Sequence, residues 1–139
     1  MKTTGKMALI VEDNFDFAEP LAFFLRERGY STRIATSRSD ALVFASDGDF
    51  DFCLLDFRME GMAPDVFVSA VRSRCPSIYF LLMSGIGDIY EEASKLGINS
   101  VLPKTSGFEL IASTLDRIRS ARFPSSSDSG QIEIWHSNS

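Results

Sequence analysis

Three runs of almost unbroken hydrophobe constrain this chain more than any other feature: Met7-Ala-Leu-Ile-Val11, Phe52-Cys-Leu-Leu55 and Ile78-Tyr-Phe-Leu-Leu-Met83. A strand with one wet face alternates apolar and polar residues, so a run that is apolar at both parities must be covered on both faces. Two further runs are of another kind. Tyr30-Ser-Thr-Arg-Ile-Ala35 is mixed, and Ser100-Val-Leu102 is short, so both belong at the edges of a sheet. The spacing predicts strands over 7–12, 30–35, 50–56, 77–83 and 98–102.

Helical periodicity fills the gaps. Asn14 to Arg28 repeats Phe17, Leu21, Phe24 and Leu25 and stops at Gly29, with Pro20 near the first turns, where proline is best tolerated. Ser37 to Ser46 opens on a capping residue. Pro64 to Arg74 opens on a proline suited to a helix start. Asp88 to Leu96 ends at Gly97, and Thr105 to Ala121 is the longest. Strand–helix alternation with short connections implies right-handed crossovers and a parallel sheet covered on both faces. The predicted fold is α/β, a five-stranded doubly wound sheet of order 2-1-3-4-5, flavodoxin-like. One domain is expected over 1–122. Residues 123–139, with Pro124-Ser-Ser-Ser-Asp-Ser-Gly130, read as a flexible tail, although Gln131-Ile-Glu-Ile-Trp-His136 alternates like a strand that could dock on an edge or a partner.

Several functions are excluded early. With 14 basic and 19 acidic residues the net charge is −5, and no basic stripe offers phosphate contacts to a nucleic acid. Arg117, Arg119 and Arg122 instead suit the C-terminal end of a helix. Cys53 and Cys75 form no CxxC pair, and the single His136 offers no zinc set. No run approaches the ~20 apolar residues of a membrane span. The first apolar run is too short for a secretory signal. A cytoplasmic location is expected.

The acidic ends of the strands carry the chemistry. In such a sheet, ligands bind beyond the carboxyl ends of the strands, where strand order reverses. The first strand ends in Glu12-Asp13 and the third in Asp56, on either side of that point. The fourth delivers Ser84-Gly85 to the same rim and the fifth delivers Lys104. Singly each has a dull explanation: Asp13 or Asn14 as a helix cap, Asp56 as an anchor of its own turn, Lys104 as a solvated cation. Together they place three acids, a hydroxyl and an ammonium on one edge. Clustered carboxylates repel unless a cation sits among them. Oxygen-only ligation favours a hard divalent ion, and Mg²⁺ suits best. Such a group supplies the positioning and charge neutralisation that phosphoryl transfer needs, with Asp56 as acceptor.

Glu12-Asp13, Asp56, Ser84 and Lys104, spaced over five βα units, resemble the receiver domain of two-component response regulators across residues 7 to about 121. The resemblance implies that Asp56 takes a phosphoryl group from a phosphohistidine on a sensor histidine kinase or histidine phosphotransfer protein. It implies that Glu12, Asp13, Asp56 and the backbone carbonyl of Arg58 hold Mg²⁺. Ser84 would be the switch hydroxyl, Lys104 the phosphoryl clamp, and Gly85 the small residue that leaves the acyl phosphate open to approach. Several positions depart from the pattern. Val101 stands where the family commonly has an aromatic switch residue, and has no ring to swing. Thr105 replaces the proline that often follows the lysine, so that loop is either trans or strained. Met59-Glu60 and Ala63-Pro64 alter the loop after the acceptor. Arg58 brings a guanidinium that is expected to fold over the acids and change the lifetime of the phosphorylated state.

The expected function is that of a stand-alone receiver that catalyses only its own phosphorylation and dephosphorylation. It would signal through a phosphorylation-dependent surface offered to a downstream protein, or pass the group on in a relay; homodimerisation is left open. Without an aromatic switch, the coupling is expected to run through Ser84 and Gly85-Ile-Gly87. One rival is a receiver-like interaction module that works without phosphorylation, which Val101 and Thr105 favour. The other is an aspartyl-phosphate phosphatase, disfavoured because Phe57-Arg58 supplies no second acid. No GxGxxG follows the first strand, which excludes a dinucleotide-binding reading.

Overall fold

Burial on both faces is visible residue by residue in the central strands. The computed structural model describes residues 5–85, 89–98 and 100–123. Its strands are β1 (Met7–Val11), β2 (Ser31–Ala35), β3 (Phe52–Asp56), β4 (Tyr79–Ser84) and β5 (Ser100–Pro103). Every residue of β3 is buried, and so are all of β1 and β4 except their first residues. In β2 burial alternates with exposure, as an edge strand requires. All pairs are parallel and the order is β2-β1-β3-β4-β5, as expected from the sequence.

The helices are α1 (Phe15–Glu27), α2 (Arg38–Asp47), α3 (Pro64–Arg74), α4 (Tyr90–Lys95) and α5 (Phe108–Arg122). Strand parity divides the core in two. Ala8, Ile10, Phe52, Leu54, Leu81 and Met83 face α1 and α5. Leu9, Val11, Cys53, Leu55, Phe80 and Leu82 face α2, α3 and α4. Two dry layers of this kind, each buried side chain contributing roughly 1.5–3 kcal/mol, hold the sheet rigid beneath its rim.

Local chemistry sets the helix ends. Asn14 caps α1 by accepting the Asp16 N–H at 3.1 Å, and Ser37 caps α2 by accepting the Asp40 N–H at 3.0 Å. Gly29, at φ +93°, turns the chain out of α1, a conformation that side chains with a Cβ resist. At the foot of the sheet Asp51 Oδ2 accepts the Met7 N–H at 3.0 Å. That acid is spent on architecture, in contrast to Asp56 at the other end of β3.

Pro20 falls at the sixth position of α1, in its second turn; it and Asp16, whose carbonyl loses a donor there, are both exposed. Both boundaries of α5 differ from the sequence reading. The fifth helix does not begin at Thr105. Lys104–Ser106 form a 3-10 turn, and α5 starts only after Gly107 at φ +94°. Phe123, assigned to the tail, closes α5 with its N–H on the Arg119 carbonyl at 2.7 Å, and its ring lies where a Cβ on Gly5 would sit. The expected strand-like segment 131–136 lies outside the described residues.

Candidate functional site

Register alone brings the acids together. Val11 of β1 pairs with Leu55 of β3, so Glu12 and Asp56, each the next residue along, stand side by side at the rim. Ser84 is the last residue of β4 and pairs with Pro103, which places Lys104 one step beyond it. Parity then sorts their side chains. Glu12, Asp56 and Lys104 follow Ile10, Leu54 and Leu102, the face covered by α1 and α5. Ser84 follows Leu82, on the face of α2 to α4.

Glu12 is fully buried, Asp56 is 6% exposed, and Asp13 lies at the solvent edge. Each of the three offers a carboxylate oxygen, and the three oxygens lie within 4.8 Å of one another. The Lys104 ammonium reaches in from β5, 2.7 Å from Glu12 Oε1 and 3.6 Å from Asp56 Oδ2. It also stands 4.8 Å over the Phe17 ring, which packs edge-on against Phe108 at 5.7 Å between centroids. A cation over an aromatic face is attracted by the ring quadrupole, so Phe17 helps fix the lysine beneath the acids. Helical periodicity in the sequence gives Phe17 only a place on the buried stripe of α1.

The two oxygens of Asp56 have different partners. Oδ1 accepts the Arg58 N–H at 3.1 Å, tying down its own turn, while Oδ2 faces Lys104. Glu12 Oε2 accepts the Asn14 N–H at 3.0 Å. Burial pushes the Glu12 carboxyl above its ordinary pKa; hydrogen bonds from Lys104 and the Asn14 N–H pull the other way, and the Asp56 charge adds to the push. For Lys104, burial disfavours the charged form, yet the Glu12 hydrogen bond and both acids outweigh it and hold the ammonium above its ordinary value. The Lys104 shift reflects the negative charge of the two acids, and the Glu12 shift mainly the cost of burying one of them; a cation among them favours the ionised carboxylates. An all-oxygen donor set of this size, with one member open to solvent, fits a hard divalent ion such as Mg²⁺.

The rim is open at Gly85. Gly85 is exposed, and a Cβ built on it meets nothing within 4 Å. Of the expected mobile segment Gly85-Ile-Gly87, the last two residues lie outside the described residues. Val101 pairs with Leu82 and packs, half-buried, on the α2–α4 side of the core. Among the described residues no peptide bond is cis, so of the two alternatives at Lys104–Thr105 the loop is trans. Arg58 is exposed.

A family model described as the response regulator receiver domain matches residues 8–116. The chain belongs to that family. Among its relatives, a response regulator receiver protein of Anaeromyxobacter sp. is 38% identical over 98 residues, which is 69% of this chain and 41% of that protein. The sensory transduction protein RegX3 of Mycobacterium tuberculosis is 36% identical over 66 residues, 48% of this chain and 29% of that protein. The receiver therefore spans less than half the length of these two relatives. Among solved structures, the chemotaxis protein CheY4 of Vibrio cholerae superposes with TM-score 0.73 at 26% identity, covering 80% of this chain and 96% of that one. A response regulator of Burkholderia pseudomallei superposes with TM-score 0.70 at 26% identity, over 86% of this chain and 75% of that one. That protein was solved with a phosphorylated aspartic acid, a calcium ion and citrate. No helix among the described residues is long and apolar enough to cross a membrane.

Proposed function

We propose that this receiver accepts a phosphoryl group on Asp56 from a phosphohistidine donor, in a Mg²⁺-dependent reaction, and signals through contacts with other proteins that depend on that modification. One observation carries the reading: Asp56, buried at the end of β3, has one oxygen on its own turn and the other directed at an ammonium that Glu12 also holds. Tying down backbone needs no such ammonium: Asp51, at the other end of β3, accepts the Met7 N–H at 3.0 Å.

In the proposed step the Asp56 carboxylate attacks phosphorus. A P–O bond forms as the P–N bond breaks, the electron pair stays on the imidazole nitrogen of the donor, and solvent supplies the proton that nitrogen takes up. Glu12, Asp13, Asp56 and the Arg58 carbonyl would hold Mg²⁺, which when bound supplies positive charge against the oxygens of the transferred group. Lys104 gives up part of its contact with Glu12 to neutralise a phosphoryl oxygen, and Phe17 keeps its ammonium in place while it does so. Ser84 donates its hydroxyl to another oxygen, which couples the acceptor's state to the α2–α4 side. Hydrolysis reverses the modification by attack of water on phosphorus, through the opening beside Gly85. The Arg58 guanidinium tunes the lifetime of the modified state; an autodephosphorylation rate unchanged in Arg58→Ala would remove that role.

The partners this chemistry calls for are a histidine kinase or histidine phosphotransfer protein upstream and a protein target downstream. The test is intact-mass measurement after incubation with a small phosphodonor. The wild type should gain one phosphoryl group with Mg²⁺ and none with EDTA, and Asp56→Asn should gain none in either. Labelling that persists in Asp56→Asn or without divalent cation would refute the reading.

A further inference from the structure

We infer that Arg38 is a positioning residue for the metal side of this site: it staples the loop after β3 so that the Arg58 carbonyl faces the acids. The inference rests on the reading of the site just given and adds a residue which that reading does not use.

Arg38 stands where an arginine is least expected. It is the first residue of α2, at the end where aligned peptide dipoles repel a cation, and it is only 3% exposed. Burial disfavours its charged form, and Asp56 is the group that favours it. Its Nε is buried with no hydrogen-bond partner among the described residues. A residue under so many penalties is held by what its two terminal nitrogens do. Nη2 donates to the Phe57 carbonyl at 3.1 Å, and Nη1 donates to the Met62 carbonyl. The guanidinium also lies 5.9 Å from the centre of the Phe67 ring.

One planar group thus ties both ends of the segment from Phe57 to Met62, which lies outside strand and helix, keeps a ladder bond only at its start, where the Phe57 N–H donates to the Met83 carbonyl at 3.1 Å, and turns at Gly61 with φ +110°. That segment contains Arg58. The acceptor holds it from inside, Asp56 Oδ1 taking the Arg58 N–H, and Arg38 holds it from outside. The Phe57 carbonyl and the Arg58 N–H are the two sides of one peptide unit, so that unit is gripped from both sides, and the Met62 bond grips the far end of the segment; the Arg58 carbonyl, in the next peptide, lies between these two fixed points. Groups that orient a metal ligand from behind are worth about 10–100-fold in metal affinity. The guanidinium fork suits this task because a rigid pair of donors can span two carbonyls, which a lysine cannot.

The test uses the whole chain as wild type, Arg38→Met and Arg38→Lys. Mg²⁺ binding is titrated calorimetrically, labelling rates are followed across Mg²⁺ concentration, and thermal midpoints are taken in EDTA. Arg38→Met is expected to weaken Mg²⁺ binding about tenfold and Arg38→Lys by less, with labelling at saturating Mg²⁺ returning to within about twofold of wild type. Mg²⁺ affinity equal to wild type in either folded variant overturns the inference, whatever happens to the thermal midpoint. If Arg38→Met does not fold, the Arg38→Lys comparison decides by the same criterion. A wild type that binds no Mg²⁺ overturns the reading of the site, and this inference with it.

Discussion

Replacing Lys104 with methionine removes a charge and keeps most of the stem, so its effect can be worked from the two distances at its ammonium. At an effective dielectric constant of about 20, the 2.7 Å contact with Glu12 is worth ~6 kcal/mol of attraction and the 3.6 Å contact with Asp56 ~5 kcal/mol. Desolvation of the fully buried Glu12 takes back most of this, which is why its carboxyl still sits above its ordinary pKa. Breaking a buried ion pair by deleting one partner costs about 3–5 kcal/mol. Because the lysine side chain keeps 20% exposure, the cost falls at or just below the lower end of that range, about 2–3 kcal/mol. For a domain of this size that is a fall of about 10 °C in thermal midpoint. The assay is a pair of thermal melts, in EDTA and in excess Mg²⁺. In EDTA Lys104→Met should melt well below wild type, and Mg²⁺ should close most of the gap by supplying the missing charge. A variant that melts within about a degree of wild type in EDTA, or a gap that Mg²⁺ leaves unchanged, would refute the electrostatic reasoning.

Further outcomes follow from the same geometry. Asp56→Asn removes one of three mutually repelling acids, so in EDTA it should melt slightly above wild type, and Mg²⁺ should stabilise it less; calorimetry reads both. Phe17→Leu keeps an apolar filler but removes the ring under Lys104, and should reduce the labelling rate several-fold while shifting the thermal midpoint little, which a labelling time course and a melt together report. Gly107→Ala meets no atom within 4 Å but forces a Cβ at φ +94°, so it should cost about 1–2 kcal/mol in urea unfolding from backbone strain alone.

The architecture was largely legible because the central strands are apolar at both parities, and only a doubly covered parallel sheet can bury such runs. That inference placed β2 and β5 at the edges and put the ends of β1, β3, β4 and β5 on one rim, from which the grouping of Glu12, Asp13, Asp56 and Lys104 follows. What stayed hidden was local. Thr105-Ser106 reads as a helix opening, yet Lys104–Ser106 close a 3-10 turn and Gly107 supplies the positive φ that starts α5; periodicity does not register such a turn. The Phe17 contact with Lys104 joins residues far apart in sequence and leaves no signal in either segment.

Arg38 is a different case, because a signal existed. The buried residues of α2 are Arg38, Ala41 and Ala45, spaced by three and four. A cation on the apolar stripe of a helix, just after its cap, points to carbonyls waiting for it elsewhere in the fold. Its pattern was present in the sequence, but its partners, in the loop after β3, were not.

Phosphorylation at Asp56 is read most directly by chemical trapping. Borohydride reduces an acyl phosphate to an alcohol, so treatment of the labelled protein should convert the modified aspartate to homoserine, located by peptide mass spectrometry. Conversion is expected at Asp56 alone, and only when Mg²⁺ was present during labelling. Homoserine at Asp13 or elsewhere, or a label that resists borohydride, would contradict that expectation.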